Sequence, residues 1–354
     1  MNIDGRPFRT IWLARDGATV EIIDQTKLPD ELVVARLATL DDAAEAIRDM
    51  RVRGAPLIGV TAAYGLCLAL RADASDSGLE RAVKTLEATR PTAVNLRAAL
   101  ARLSSAIENL APVERVAAAY RFAAALADED VSQNRAIGEH GLRLLRELRA
   151  FKRSDAPLQI MTHCNAGWLA TVDVGTALAP VYFAHDAGLR VHVWVSETRP
   201  RNQGAYLTAW ELGKHGVPHT VVADNAAGHL MQRGDVDAVI VGTDRTTRSG
   251  DVANKIGTYL KALAAREANV PLYVAVPSSS IDWSLERGAD VPIEERPAEE
   301  VTHVGSARVV PLGSPVRNPA FDVTPARLVT RLITDRGVCE ASRVGLSSLY
   351  PERA

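Results

Sequence analysis

The chain is short of the features that mark several common chemistries. Its three cysteines, Cys67, Cys164 and Cys339, are scattered over 354 residues with no C-x-x-C pair. That excludes a zinc ribbon and a disulfide framework, and a reducing cytoplasm is the expected home. Charge of one sign is also lacking. A formal net charge of -2 gives no global electrostatic case for nucleic acid or an anionic membrane. The first residues, MNIDGRPFRT, carry no apolar signal core, and no apolar run is read as reaching membrane-spanning length. No G-x-G-x-x-G follows a strand, so the sheet gives no support for a nicotinamide cofactor. Neither a Walker loop nor H-E-x-x-H is found. Internal repeats and low-complexity segments are absent.

What remains is globular material in two styles. Apolar residues make up 47% and charged residues 24%, enough for ordinary cores, and the length favours two domains. FRTIWL and ATVEIID, joined by RDGA, read as a hairpin of short strands. TLDDAAEAIRDM, LIGVTAAYGLCLAL behind Pro56, SGLERAVKTLEA, and residues 94–110 and 112–150 read as helices. After Lys152–Pro157 the pattern changes. The apolar runs LQIMTH, RVHVWVS, HTVVAD, DAVIVG and PLYVAVP alternate with helical stretches, the first of them starting at Gly167-Trp168. Near-continuous apolar strands alternating with helices predict a parallel, doubly wound α/β sheet. A last helix is expected over ARLVTRLITDRG. The predicted fold class is α/β: a smaller N-terminal domain of short strands and helices over residues 1–130, and a C-terminal domain with a parallel sheet over 131–354, carrying most of the site.

Ligands of such sheets lie beyond the carboxyl ends of the strands. The residues just past those ends are Cys164 and Asn165; Glu197, Thr198, Arg199 and then Gln203; Asp224 and Asn225; Thr243, Asp244 and Arg245, with Asn254 and Lys255 at the next expected helix start; and Ser278 to Ser280 with Asp282. Each also has a plain reading. Cys67 in LCLAL is a core residue. Cys164, at a strand end and an expected helix start, is either a small buried hydrophobe or a thiol favoured by the helix dipole. His163 is read as a satisfied structural histidine, and Asp224, Asp244 and Asp282 as possible caps. Arg53-Gly54-Ala55, before the Pro-started helix, is the best phosphate cue: free N–H groups, a helix N-terminus and a guanidinium fork. Taken alone, an ordinary surface loop explains it equally, as it does Arg90.

In combination the motifs say more. RGAPLIGVTAAYG, RPTAVNL, THCNAGWLAT, ETRPRNQGAYLTAWEL, VGTDR, GDVANKIGTY and VPIEERPAEEVTH followed by NPAFDVTP resemble, in order, the methylthioribose-1-phosphate isomerases of methionine salvage. The resemblance runs from about residue 5 to about residue 340. It implies a homodimer of two-domain subunits with a Rossmann-like C-terminal domain, a sugar phosphate substrate, and no metal or organic cofactor. It implies that Cys164 and Asp244 are the catalytic pair, and that Arg53, Gly54, Ala55, Arg90, Gln203, Asn254 and Lys255 bind substrate and phosphate. Thr243 departs from the pattern, where alanine is more usual. Relatives in the wider superfamily isomerise ribose 1,5-bisphosphate or 5-deoxyribose 1-phosphate, or serve as non-catalytic regulatory subunits of the eukaryotic translation-initiation exchange factor. Retention of both Cys164 and Asp244 argues against the last class. Phosphate on the anomeric oxygen blocks ordinary ring opening, so an acid must protonate the ring oxygen. A neutral Asp244 is expected to do so in a water-poor pocket.

Overall fold

The computed structural model describes residues 1–91, 93–152 and 155–353. Thr92, within the RPTAVNL motif, Arg153 and Ser154, within the stretch where the pattern changes, and Ala354 lie outside the described residues. The chain divides into two units, Met1–Arg135 with Gly167–Gly175, and Ala136–Ala166 with Thr176–Ala354.

In the first unit the hairpin forms as expected. Ile11–Leu13 pairs antiparallel with Val20–Ile23, which pairs with Val34–Leu37. Helix Leu40–Arg48 starts at a capping box, with the Asp42 N–H donating to Thr39 Oγ1 and the Thr39 N–H to Asp42 Oδ2. Helix Ala55–Ala72 carries Pro at its first turn, and Asp76–Glu87 and Val94–Ile107 follow, then the start of Pro112–Phe151, whose residues from Ala136 on belong to the second unit. Ala55–Ala72 corrects one expectation. By length and composition it is apolar enough to cross a membrane, yet 72% of it is buried inside the protein, so its apolar surface is that of a core helix on every side.

The second unit holds a seven-stranded sheet. Its order is Gly337–Cys339, Arg331–Thr334, Leu272–Val276, Ala238–Val241, Leu158–His163, Val191–Ser196, His219–Val222. All neighbours are parallel except Gly337–Cys339, which runs antiparallel to Arg331–Thr334. Met161, Val239, Val241, Val274 and Val276 pack in one buried cluster on the sheet. Leu158–His163 comes first in the chain and sits mid-sheet. The next two strands add on one side, and the chain then crosses back to lay Ala238–Val241 on the other. The order therefore reverses between Leu158–His163 and Ala238–Val241, which makes the crevice beyond their carboxyl ends the topological switch point.

Three local expectations fail for identifiable reasons. No α-helix starts at Gly167-Trp168. Trp168–Ala170 is a single 3₁₀ turn and the helix begins at Ala179, because Val174 and Gly175 take positive φ, +70° and +83°, and break the run. The dipole argument for the Cys164 thiol therefore falls. Asn254 and Lys255 end a strand, Val252–Lys255, and the helix waits until Thr258. The expected last helix is a 3₁₀ turn, Ala326–Leu328, followed by strand Arg331–Thr334. Its Ile and Thr suit a pleated buried surface better than a helix.

In the first unit the Gly167–Gly175 segment is tied down by main chain and by one acid. The Thr10 N–H donates to Val172 O at 2.9 Å, and the Val172 N–H donates to Asp130 Oδ2 at 2.8 Å. Burial pushes the Asp130 carboxyl up to about 7 from an ordinary value of 3.8. An acid raised in the folded state contributes stability below its unfolded value and loses it as pH rises to the folded one. We expect Asp130→Asn, which keeps an acceptor for Val172 but cannot ionise, to gain roughly 2 kcal/mol relative to the wild type between pH 5 and pH 8. Denaturant titrations at the two pH values measure this, and a pH-independent difference would rule it out.

Candidate active site

The strands on either side of the switch point end at the two residues singled out in the sequence. Cys164 follows Leu158–His163 directly, and Asp244 comes three residues after Ala238–Val241. Cys164 is buried, 7% exposed, and has left-handed backbone, φ +64°. For a residue with a Cβ such a conformation costs about 1–3 kcal/mol and persists only where the surroundings impose it. Here they do. Its N–H donates to Thr198 Oγ1 at 2.8 Å, and its carbonyl accepts from Thr208 Oγ1 at 2.8 Å. The Asn165 amide donates to Thr208 Oγ1 at 3.1 Å. Cys164 Sγ lies 3.2 Å from Gln203 Oε1, a thiol-to-amide hydrogen bond. An amide offers an acceptor to a thiol and, turned over, a donor to a thiolate.

Gln203 reaches the thiol because the following residues wind unusually. Gly204–Thr208 is a π-turn leading into helix Ala209–His215. The N–H groups of Gly204 and Ala205 both donate to Glu197 O at 3.2 Å. Chain and chain are pressed together here: a Cβ on Gly204 would sit 1.8 Å from Ser196 O.

The Asp244 N–H donates to Ala253 O at 3.0 Å, and Thr243 Oγ1 donates to the same carbonyl at 3.2 Å. Arg245–Thr247, which follows, belongs to a four-stranded sheet with Ile281–Asp282, Val252–Lys255 and Phe321–Thr324. Asn254 is held by its amide donating to Thr258 Oγ1 at 3.0 Å. Lys255 Nζ lies 4.8 Å from the centre of the Phe321 ring, a cation–π contact. Lys255 and Gln203 also line one small cleft with Thr198, Arg201, Arg296 and Asn318.

Beneath Cys164 lies a polar layer of His163, Asp224, Lys261 and Asp322, of which the sequence reading did not single out Lys261 and Asp322. His163 is fully buried. Its Nε2 is 2.7 Å from Ile256 O, which makes Nε2 the protonated nitrogen, and its Nδ1 is 3.8 Å from Asp224. Burial, then nearby Lys261, pushes its pKa well down against the pull of Asp224, so it is neutral. Lys261 Nζ lies 4.0 Å from Asp224, and burial lowers it to about 8. Burial raises Asp322 to about 6, although its carboxylate accepts from the Gly257 and Tyr259 N–H groups at 2.7 and 3.1 Å. A signal for Lys261 was available: Thr258, Lys261, Ala262 and Ala265 are the buried positions of their helix, and a lysine on that stripe calls for a partner.

In the second unit Cys164 thus meets Gln203 and Gln203 shares a cleft with Lys255, while the Asp244 N–H bonds to Ala253 O, next to Asn254 in the chain. Arg53, Gly54, Ala55 and Arg90 belong to the first unit. There Gly54 is the N-cap of helix Ala55–Ala72 with φ +96°, and a Cβ on it would lie 2.3 Å from Ala170 O. Arg53 is buried and Arg90 half-buried. Among the described residues no group of three or more His, Cys, Asp or Glu is arranged to hold a metal ion.

The Initiation factor 2 subunit family matches residues 51–341. The chain is 63% identical over 363 residues to the methylthioribose-1-phosphate isomerase of Methylorubrum extorquens, covering 100% of this chain and 99% of that one. It is 60% identical over 368 residues to the protein of the same name from Rhodospirillum rubrum, covering 100% and 94%. The crystal structure of 5-methylthioribose 1-phosphate isomerase from Pyrococcus horikoshii superposes with a TM-score of 0.87 at 42% identity, covering 98% of this chain and 97% of that one. A structure described as translation initiation factor eIF-2B, subunit delta, from A. fulgidus gives 0.84 at 40% identity, covering 98% and 100%.

The contact at Gly204 yields a stability test. Gly204→Ala forces a Cβ into the Ser196 carbonyl, and the main chain must move to relieve it. We expect a loss of more than about 2 kcal/mol, read as a lowered thermal midpoint. A midpoint within a degree of the wild type would contradict the packing described.

Proposed function

The chain belongs to the Initiation factor 2 subunit family, and from that membership we propose that it is an aldose–ketose isomerase converting 5-methylthioribose 1-phosphate to 5-methylthioribulose 1-phosphate in methionine salvage. The observation that carries this reading is identity above 60% along the whole chain to enzymes of that name. The fold alone would suit a non-catalytic subunit as well. A left-handed, buried cysteine at the switch point, paired in topology with Asp244, favours chemistry over scaffolding.

The site roles are part of the proposal. The substrate is a furanose whose anomeric oxygen carries phosphate. Asp244, protonated, gives its proton to the ring oxygen as the C1–O bond breaks. Hydrogen then moves from C2 to C1. By one route the Cys164 thiolate removes the C2 proton and returns one at C1 through an enol, while the C2 hydroxyl proton passes to the Asp244 carboxylate left by ring opening. By the other, hydride shifts directly and Cys164 handles the hydroxyl proton. The Gln203 amide beside Sγ suits either charge state of the sulfur. Arg53, the backbone at Gly54 and Ala55, Arg90, Asn254 and Lys255 hold the substrate and its phosphate, a positioning contribution. The working form is proposed to be a cytoplasmic homodimer. Light scattering on the purified protein tests the stoichiometry.

Purified protein should convert methylthioribose 1-phosphate to the ketose phosphate unaided, and faster than it converts 5-deoxyribose 1-phosphate. No turnover on either sugar would favour a non-catalytic subunit, and preference for the second would reassign the substrate. Cys164→Ala and Asp244→Asn should each lower kcat by about 10²–10⁴-fold while leaving a folded protein. Near-normal turnover would remove that residue from the mechanism. In deuterated water, substantial label at product C1 supports the proton route, and its absence in both directions of the reaction disfavours it.

A further inference from the structure

Thr198 has no part in the chemistry above, yet it is the nearest support of the sulfur's backbone. Cys164 and Thr198 follow neighbouring parallel strands, with His163 in register with Ser196. Both are non-glycine residues at positive φ, +64° and +68°. One hydrogen bond joins them, Cys164 N–H to Thr198 Oγ1 at 2.8 Å. That hydroxyl donates in turn to Ser196 O at 2.9 Å. Thr198 is itself clamped. Its N–H donates to Asp224 Oδ1 at 2.7 Å, the Arg199 N–H donates to Asp224 Oδ2 at 2.7 Å, and Ser196 Oγ donates to Asp224 Oδ1. The groups facing that carboxylate are His163 and Lys261, at 3.8 and 4.0 Å. Thr198 is 1% exposed, so water is not at hand to replace its hydroxyl.

Two adjacent strand ends here adopt left-handed backbone, a conformation to which a β-branched residue is among the least suited. The consequence is directional. The φ of Cys164 sets where its Cα–Cβ bond points and so the region its sulfur can reach, and Thr198 Oγ1 is the acceptor that holds the Cys164 N–H in that conformation. We propose that Thr198, anchored by Asp224, is a positioning residue for the isomerase thiol: its hydroxyl fixes the backbone of Cys164 and so aims Sγ at the reacting carbon. This rests on Cys164 acting in the isomerisation.

The test compares Thr198→Ser, Thr198→Ala and Thr198→Val with the wild type and Cys164→Ala in the full-length protein. The readouts are kcat, KM and the pH profile of iodoacetamide alkylation at Cys164, located by peptide mass spectrometry. Losing the hydroxyl should lower kcat by about 10- to 100-fold, the effect of a misdirected group, while KM changes by less than about threefold. The Cys164 alkylation profile should shift with it. Thr198→Ser should rescue both. If Thr198→Val fails to fold by circular dichroism, Thr198→Ala carries the comparison, since it introduces no bulk. Wild-type kcat in Thr198→Ala, or equal loss in Thr198→Ser and Thr198→Ala, overturns the positioning role while an inactive Cys164→Ala leaves the isomerase reading standing. Normal turnover in Cys164→Ala removes the premise instead.

Discussion

Peptide groups that run off the end of a parallel sheet lose their ladder partners, and every buried one must find another. That constraint organises the second unit. At the switch point the chain leaves Leu158–His163 and Val191–Ser196 into buried space, where solvent cannot take over. The Cys164 N–H and C=O are taken by two threonine hydroxyls, and the N–H groups of Thr198 and Arg199 by a single carboxylate. The polar residues just beyond the strands are there first to complete the backbone. Once in place they hold conformations that the chain would not adopt unaided, and a reactive side chain can be aimed by them.

The same requirement explains the charged layer below. Asp224 can satisfy three donors only as a carboxylate, and a partly buried carboxylate needs positive charge or donors close by. Against the burial that would raise it, the Ser196 hydroxyl, the Arg199 N–H and Lys261 hold its pKa down. Lys261 in turn sits between Asp224 and Asp322, which oppose the burial that lowers it. The two acids fare differently. Asp224 is held ionised at the strand ends, while Asp322 is raised toward neutrality at the Gly257 turn.

Much of this was legible in the sequence, and what was not has a common cause. Alternating apolar runs and helices predicted the parallel sheet because burial on both faces leaves a plain pattern. Cys164, Asp244 and Gln203 could be gathered from strand ends alone, since topology fixes where those ends lie. The helix expected at Gly167-Trp168 failed because its apolar residues serve an irregular segment, where tertiary contacts, not periodicity, decide the conformation. Arg331–Thr334 was misread for the opposite reason: a strand of four residues, three of them buried, is too short to separate period 2 from period 3.6. Thr198 left no sequence signal beyond its place in ETRPR. Its importance lies in a φ value and a hydrogen bond, both set by residues 25 or more positions away.

The loss of the helix behind Cys164 sharpens the chemistry. A helix N-terminus would have favoured the thiolate through a field acting on any anion near it. In its place stand an amide at 3.2 Å from the sulfur and a backbone locked at one φ. A dipole lowers the pKa of a thiol wherever it points; a lock and an amide act on its direction and on one hydrogen bond. For an isomerase that must move a single hydrogen between adjacent carbons, direction is the scarcer commodity. A thiol with a modestly favoured anion still reacts, whereas one aimed an ångström away loses most of its rate. The arrangement around Cys164 is therefore better understood as orientation of sulfur than as activation of it.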